Sequence, residues 1–421
     1  MSRGARIFQA SCILFWSFLF CALFFLVRTK AQEQGEVKGA PAEPADAQET
    51  RHEVAAVEKL RSSLPDRGAA LYFLALAKQH LHESREALEL LKECLALREG
   101  FDPSNSPSFM EFRDNKEFTA LVANVHRDFP VVAQAREAFR TSEKDLIPEG
   151  LAYDEQRSVF YLSSLHRRKV VQIARDGAPT DFVPAERFSL LPVLGIRVNS
   201  SDGTVWADSF AEAGETELLH FDGTGKLLGR YKPQHSAKHG FNDLVVRRNG
   251  EVLTTDSLAG SILRFEPASA TFTTLPVHRA LFYPNGIALA SDDHWLYVAD
   301  GLGVLRIDLF TGESRDVDPG PRNTLAGIDG LYWHNGSLVA VQNGIGSPRI
   351  AAFRLAPDGL RVTRTIVLEN RTSFTVLPTT GAIRGDDFFF ISNSQIDNLN
   401  DDKVMDITRL EPVRIAVVRL P

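Results

Sequence analysis

From Ile147 to the C-terminus, apolar and polar residues alternate with a period of two, and turn residues interrupt the alternation at regular intervals. Six segments align by eye, each with a short apolar strand, a turn containing Asp, Asn or Gly, and a second strand ending in small polar residues. Their first residues are Glu149, Gly195, Asn242, Asn285, Asp329 and Thr380. A recurrence every 43 to 51 residues is typical of four-stranded propeller blades. We therefore predict a mainly β fold, a six-bladed β-propeller over residues 141–421, with residues 138–144 as the outermost strand of the last blade.

The first strand of each propeller blade is innermost, so the six first residues are expected near one mouth of the central channel. Four of them carry side-chain oxygens that can bind a cation: Glu149, Asn242, Asn285 and Asp329. The second strands run antiparallel and end at the same mouth. We predict that a substrate contacts Asn242 and the polar side chains at these strand ends, namely Asp256, Asp300, Asn343 and Asn393. Asp256 and Asp300 are also expected to orient the two asparagines.

Carboxylates crowded into a channel are unfavourable, because burial and mutual repulsion both oppose their ionisation. A divalent cation held by Glu149, Asn242, Asn285 and Asp329 removes both problems. Oxygen ligands favour Ca²⁺, with Mg²⁺ and Mn²⁺ as alternatives, and Zn²⁺ is less suited because the inner ring has no Cys or His. The alternative is that these residues only shape turns and bond one another through water. Their matched repeat positions favour the metal site.

Residues 52–140 show helical periodicity instead. We predict helices over residues 69–80 and 84–97, the second capped by Ser84, and two more over residues 111–129 and 131–139. A helix pair within about 34 residues resembles one tetratricopeptide repeat. Because a lone repeat cannot bury both of its faces, the region is either a helical cap packed on the propeller or a docking groove for a protein partner.

The N-terminus contains a hydrophobic run, residues 7–27, with no charged side chain. A helix of this length spans the hydrocarbon layer of a bilayer. The two interpretations are a cleaved signal peptide over residues 1–31 and an uncleaved membrane anchor. Both export the rest of the chain, to the periplasm, the extracellular space or the non-cytoplasmic face of a membrane. Residues 32–51 are rich in Ala, Glu, Gln and Pro, which is typical of a flexible linker.

Charge and cysteine content exclude several other classes of protein. The 54 acidic and 47 basic side chains give a net charge of −7, so a broad nucleic-acid-binding surface is not expected. Cys12 and Cys21 lie in the hydrophobic run and leave only Cys94 in the remaining chain. The sequence therefore contains neither a disulfide framework nor a cysteine-ligated zinc site.

Residues 147–395 resemble the regucalcin/gluconolactonase family (the senescence-marker-protein type), which is related to paraoxonases and to strictosidine-synthase-like propellers. The matching motifs are PEGLAYD at 148–154, FNDLVV at 241–246, PNGIALASDDHWLYVAD at 284–300 and IDGLYW at 328–333. The resemblance implies a metal held by Glu149, Asn285 and Asp329, with Asn242 at the metal or at the substrate. It also implies hydrolysis of lactones or related esters.

Two residues are candidates for the base that activates water in such a hydrolysis. Asp329 can serve through an oxygen that the metal leaves free, and His239 lies three residues from Asn242. The alternative for His239 is an ordinary loop histidine in the polar run PQHSAKHG. No GxSxG motif marks a nucleophilic serine. A strictosidine-synthase-like condensation needs a catalytic acid that the sequence does not place.

The sequence departs from the family pattern at Gly240. Regucalcin-type lactonases have an arginine two residues before the asparagine of the FND motif, where it binds sugar acids. Its absence here argues against sugar-acid lactones as substrates. It also favours the rival interpretation, a non-catalytic exported propeller in which the cation is structural and the helical region binds a partner.

Overall fold

The computed structural model describes residues 45–174, 177–211, 214–234, 238–400 and 403–421. The chain divides into two compact units. Among the described residues, the helical unit contains residues 45–130 together with Pro321–Thr324 and Ile345–Ser347. The propeller unit contains Val131–Gly320, Leu325–Gly344 and Pro348–Pro421.

Four α-helices form most of the helical unit: α1 (Ala45–Leu60), α2 (Arg67–His80), α3 (Ser84–Ala96) and α4 (Lys116–Asp128). Asp66 caps α2 by accepting a hydrogen bond of 3.0 Å from the backbone N–H of Ala69. The expected serine cap of α3 is wrong, because the capping position is Glu83, whose side chain makes no capping bond. One face of α3 is buried and α2 packs beside that helix, as the periodicity of residues 84–97 predicts.

Two sequence-based expectations need correction in this region. Residues 45–51 were expected in the flexible linker, but they form the start of α1; residues 32–44 lie outside the described part of the chain. The helix expected over residues 131–139 is wrong, because two strands form there, β1 (Val132–Ala133) and β2 (Arg136–Thr141). The tetratricopeptide interpretation of α2 and α3 stays a prediction.

Six antiparallel sheets form the propeller unit, and their strands follow one another along the chain. Blade 1 contains β3 (Leu151–Asp154), β4 (Val159–Ser163), β5 (Val170–Ile173) and β6 (Pro179–Val183). Blade 2 contains β7 (Val193–Val198), β8 (Val205–Ala211), β9 (Glu215–Phe221) and β10 (Leu227–Tyr231). Blade 3 contains β11 (Phe241–Val246), β12 (Val252–Asp256), β13 (Ser261–Glu266) and β14 (Thr271–Thr274).

The remaining blades follow the same order with additions at their outer edges. Blade 4 contains β15 (Ile287–Leu289), β16 (Trp295–Asp300), β17 (Gly303–Asp308) and β18 (Ser314–Asp316). Blade 5 contains β19 (Ile328–His334), β20 (Ser337–Gln342), β21 (Arg349–Leu355) and β22 (Val362–Asn370), and β1 pairs with β22. Blade 6 contains β23 (Gly381–Arg384), β24 (Asp387–Ile391), β27 (Val413–Arg419) and the N-terminal strand β2.

The pairing of β2 with β27 closes the ring of blades. Arg136 lies opposite Val417, and Thr141 lies opposite Val413, so the outermost strand of the last blade comes from the beginning of the propeller sequence. The sequence-based prediction of this closure is confirmed. Since β24 pairs with β27 on its other side, blade 6 joins the two ends of the propeller unit through backbone hydrogen bonds.

The hydrophobic core of the propeller lies between the blades. Separate clusters of buried apolar side chains fill all six interfaces between neighbouring blades. The interface between blades 1 and 6, for example, brings the rings of Phe160 and Phe389 to a centroid distance of 4.8 Å. Because alternate side chains of each strand point to opposite faces of its sheet, the period of two gives every blade two apolar faces.

Blade 6 also carries an insertion between β24 and β27. It contains the short strands β25 (Leu399–Asn400) and β26 (Lys403–Val404) and two 3₁₀ turns. Leu399 and Leu410 pack against Ile147, Leu165 and Leu194. The insertion therefore packs against blades 1 and 2 near the starts of their inner strands.

Within the described part of the chain, no helix is long and apolar enough to cross a membrane. The hydrophobic run at residues 7–27 lies outside that part.

Candidate active site at the propeller mouth

The starts of the six inner strands surround one end of the channel. Asn242 and Asp329 are the second residues of β11 and β19, whereas Glu149 and Asn285 lie two residues before β3 and β15. Hydrogen bonds link neighbouring blades at this level: the Thr380 hydroxyl donates to the carbonyl of Glu149, and the Thr255 hydroxyl donates to the carbonyl of Asn285 (2.8 Å). The structure therefore places these positions around a common mouth.

Two glycines allow the inner strands to approach one another closely. A Cβ on Gly195 would lie 2.5 Å from the carbonyl oxygen of Asn242 in the next blade. A Cβ on Gly286 would lie 2.5 Å from the carbonyl oxygen of Asp329. Both distances are too short for any side chain, so these positions need glycine for packing rather than for a turn.

Among the described residues, four neighbouring side chains of blades 1, 4 and 5 each have a buried oxygen without a hydrogen-bond partner. They are Glu149 (Oε2), Asn285 (Oδ1), Asp329 (Oδ1) and Asn343 (Oδ1), and we call them the oxygen cluster. Buried polar atoms in proteins are nearly always hydrogen-bonded, so four unpartnered acceptors in one cluster suit an electropositive ligand. A divalent cation would satisfy all four, because each is a hard oxygen ligand.

Asn343 is held in the cluster by its amide nitrogen. Its Nδ2 donates to Oδ2 of Asp329 at 2.6 Å and to the carbonyl of Pro378 at 2.9 Å. This arrangement turns Oδ1 of Asn343 away from both acceptors, leaving it available as a ligand. The sequence analysis assigned Asn343 to the substrate rather than to the metal, and the structure places it against the candidate ligand Asp329.

The electrostatics of the cluster favour protonation when no cation is present. Burial raises the pKa of Glu149 well above its usual range, and the nearby carboxylates of Asp329 and Asp243 raise it further. Burial also raises the pKa of Asp329 to about 7, although the amides of Asn343 and Asn285 oppose the rise. A bound cation would replace these protons.

A buried ion pair that the sequence analysis missed lies beside the oxygen cluster. Arg197 of β7 donates to Oδ2 of Asp243 at 2.9 Å, and its guanidinium lies 5.2 Å from the ring centroid of Tyr332. The positive charge of Arg197 opposes the rise in the pKa of Glu149. An arginine and an aspartate within two inner strands are the sequence signal that could have identified this pair.

His239 forms a second polar group at the mouth. Its Nδ1 lies 2.5 Å from Oδ2 of Asp256, which is completely buried. The other ring nitrogen, Nε2, is buried and has no hydrogen-bond partner. Asp256 was expected to orient the asparagines, but its carboxylate instead binds His239 and the backbone N–H groups of Gly240 and Ala259.

Two other residues predicted at the site, Asp300 and Asn393, have different hydrogen-bond partners from those expected. Asp300 was expected to orient Asn285, but Arg279 occupies both of its oxygens, at 2.6 and 3.0 Å. The amide of Asn393 is engaged at both ends, donating to the carbonyl of Pro412 and accepting from the N–H of Arg414. Neither side chain is part of the oxygen cluster.

Asn242 lies on the blade 3 side of the mouth, where its Nδ2 donates to the hydroxyl of Ser257 at 3.1 Å. Gly240 precedes it by two residues, and a Cβ there would lie 2.8 Å from Cγ of Leu258 and 3.2 Å from Cε2 of Phe210. Gly240 is therefore closely packed against two apolar side chains. Asn242 is the residue that blade 3 contributes to the predicted inner ring, and it lies beside this packing.

The described residues contain no group of three or more His, Cys, Asp or Glu side chains arranged to hold a metal ion. The oxygen cluster differs from such a group in its composition, since it combines two carboxylates with two amides. Its donor set suits Ca²⁺ better than transition metals, which prefer nitrogen or sulfur ligands.

No protein-family model matches the chain, and no curated protein is similar enough to match it. Solved structures do resemble it. Virginiamycin B lyase from Staphylococcus aureus has a TM-score of 0.48 and 17% identity, covering 68% of this chain and 99% of that chain. A gluconolactonase from Xanthomonas campestris has a TM-score of 0.46 and 17% identity, covering 69% and 98%. The PQQ-bound aldose sugar dehydrogenase from Streptomyces coelicolor has a TM-score of 0.48 and 14% identity, covering 68% and 97%. These likenesses assign no activity to this chain.

Proposed function

We propose that this protein is a divalent-cation-dependent hydrolase of lactones or related esters, with its active site at the propeller mouth. The observation that carries the proposal is the oxygen cluster, whose four buried acceptors lack donors. Glu149, Asn285, Asp329 and Asn343 fit a cation of the Ca²⁺ type by their chemistry. The motif resemblance to the regucalcin/gluconolactonase family supports the reaction class.

When bound, the cation polarises the substrate carbonyl and stabilises the negative charge that develops on its oxygen. The protein contributes the arrangement around it. Asn343 fixes the Asp329 carboxylate through the bond to Oδ2, so that Oδ1 stays directed away from that contact. Arg197 and Asp243 form a neutral pair beside the cluster, which limits the negative charge in the channel.

Asn242 is suited to position the substrate, because it lies on the rim and its amide is anchored by Ser257. Leu258 and Phe210 pack closely against Gly240 and exclude a charged clamp at that position, which favours a substrate without a charged group there. Asp329 and His239 are the two groups able to accept a proton from the attacking water.

The test is a panel of lactones and aryl esters assayed with the full-length protein, in Ca²⁺ and in chelator. We expect turnover that needs the cation and that Asp329→Asn abolishes while the variant remains folded. Glu313→Gln is the matched control, because its side chain is 74% exposed on blade 4. Failure of the wild-type protein to hydrolyse any member of the panel in Ca²⁺ would contradict the proposal.

One observation favours a second function, a non-catalytic binding module stabilised by a cation. The close packing of Leu258 and Phe210 against Gly240 leaves no room at that position for a larger side chain that could recognise a polar substrate. Tight cation binding together with no turnover across the panel would support this function instead.

A further inference from the structure

The contact between His239 and Asp256 has the form of an oriented general base. Asp256 exposes none of its surface, and its Oδ1 accepts hydrogen bonds from the N–H groups of Gly240 (2.9 Å) and Ala259 (3.0 Å). These two bonds fix the carboxylate, so Oδ2 is directed at Nδ1 of His239. Two backbone N–H groups bound to one oxygen of the carboxylate therefore help to set the position of the imidazole on the other oxygen.

This contact also determines which ring nitrogen carries the proton. A carboxylate only accepts hydrogen bonds, so Nδ1 of a neutral His239 must be the donor. Nε2 then carries the lone pair. Nε2 is buried and has no hydrogen-bond partner, so the lone pair of this basic nitrogen accepts no hydrogen bond. An unpaired buried nitrogen of this kind is unfavourable, so Nε2 is suited to accept a hydrogen bond from a water molecule.

Other histidine–aspartate pairs in the propeller do not share this arrangement. They use Nε2 for the aspartate, and they are His278 with Asp316, His294 with Asp308 and His334 with Asp386. The carboxylates of all three retain solvent exposure, whereas that of Asp256 has none. In these three pairs, no fully buried acid directs the ring.

The pair lies beside the proposed substrate-binding side of the mouth. Phe241 pairs with Asp256 across β11 and β12, and the carbonyl of Gly240 accepts a hydrogen bond of 2.9 Å from the N–H of Ser257. The hydroxyl of the same serine accepts from Asn242. His239 and Asn242 therefore approach the mouth from the same strand end and are held by adjacent residues of β12 and its following turn.

We propose that His239 is the catalytic base of the hydrolysis and that Asp256 is its positioning residue. This inference rests on the proposed function. Nε2 of His239 removes a proton from water as the water oxygen forms a bond to the carbonyl carbon. When the tetrahedral intermediate collapses, the ester C–O bond breaks and the leaving alkoxide takes the proton from Nε2. The products are the acid and the alcohol, or one hydroxy acid from a lactone, and His239 returns to its neutral form.

The test compares His239→Gln and Asp256→Asn with the wild type on a substrate that the wild type hydrolyses in Ca²⁺. We expect His239→Gln to lower kcat by about 100-fold or more, as for other general bases, without changing the affinity for Ca²⁺. Imidazole added to His239→Ala should restore part of the lost rate. His294→Gln is the matched control and should keep the wild-type rate, because it breaks a surface pair of the same type.

Asp256→Asn should lower kcat with little change in KM. In ¹⁵N NMR spectra of the wild type, His239 should be protonated at Nδ1, and the variant should lose this preference, a change that purely structural support would not produce. A His239→Gln variant with the wild-type kcat would overturn the inference while leaving the proposed function intact. A wild-type protein without any hydrolytic activity would instead overturn the proposed function, and the inference with it.

Discussion

Replacing Asp329 by asparagine should change how the stability of the cation-free protein depends on pH. Burial raises the pKa of Asp329 from 3.8 to about 7, so the folded protein holds this proton more tightly than the unfolded chain does. A folded-state pKa above the unfolded value gives stability that is fully present below the unfolded pKa. That stability is lost as the pH rises through the folded pKa. The free energy of unfolding should therefore fall between pH 4 and pH 8.

The size of the expected fall in the free energy of unfolding follows from the shift in the pKa of Asp329. A difference of about three pKa units corresponds to about 4 kcal/mol, of which about two units, or roughly 3 kcal/mol, lie above pH 5. Asparagine at position 329 has no proton to lose, and it also removes the charge that raises the pKa of Glu149. Both effects should flatten the pH dependence of the variant.

The assay is urea unfolding in chelator at pH 5, 6, 7 and 8, followed by tryptophan fluorescence. We expect the wild type to lose 2 to 3 kcal/mol more than Asp329→Asn between pH 5 and pH 8 (about two units at about 1.4 kcal/mol each). The exposed-site control Glu313→Gln should follow the wild type. Equal pH dependence in the wild type and Asp329→Asn would refute the reasoning, since it would mean that this carboxyl is not protonated by burial.

Three further predictions concern the scaffold of the site. Arg279→Met should lower the free energy of unfolding by about 3–5 kcal/mol in urea titrations, because it leaves the buried carboxylate of Asp300 unpaired; a loss under 1 kcal/mol would contradict this. Gly286→Ala should reduce both the melting temperature and the affinity for Ca²⁺, because its Cβ would lie 2.5 Å from the carbonyl oxygen of Asp329; unchanged calorimetric binding would argue against the close approach of blades 4 and 5. Deletion of residues 1–141 removes β2 and should abolish cooperative unfolding of the propeller, measured by circular dichroism, because β27 loses its outer partner; a sharp transition at the wild-type temperature would show that closure is not needed.

The sequence predicted the blades well because each blade is local. Four strands within about 45 residues pair with their neighbours along the chain, and the period of two sets which residues face the next blade. Closure by residues near 138–144 was also predictable, because five blades were complete and the sixth lacked a strand. The helix expected over residues 131–139 failed because the partners of β1 and β2 lie in β22 and β27, far along the chain, and tertiary pairing overrides a local helical pattern.

The sequence predicted which strand positions lie at the candidate site. It did not predict which side chains bind one another there. Asp256 and Asp300 end equivalent second strands, so the sequence treats them alike. Their partners come from the loops before the inner strands, where blade 3 has His239 and blade 4 has Arg279. Loop residues have no repeat register, which is why the sequence analysis proposed His239 as a base without finding Asp256 beside it.

Calorimetric titration of the chelator-treated, full-length protein with Ca²⁺ tests the central claim most directly. We predict binding of one ion with release of protons at pH 7, as the cation displaces those on Glu149 and Asp329, and loss of that binding in both Glu149→Gln and Asp329→Asn. A folded wild-type protein that binds none of Ca²⁺, Mg²⁺ and Mn²⁺ at millimolar concentration, or variants that bind as tightly as the wild type, would contradict the claim that the oxygen cluster holds a cation.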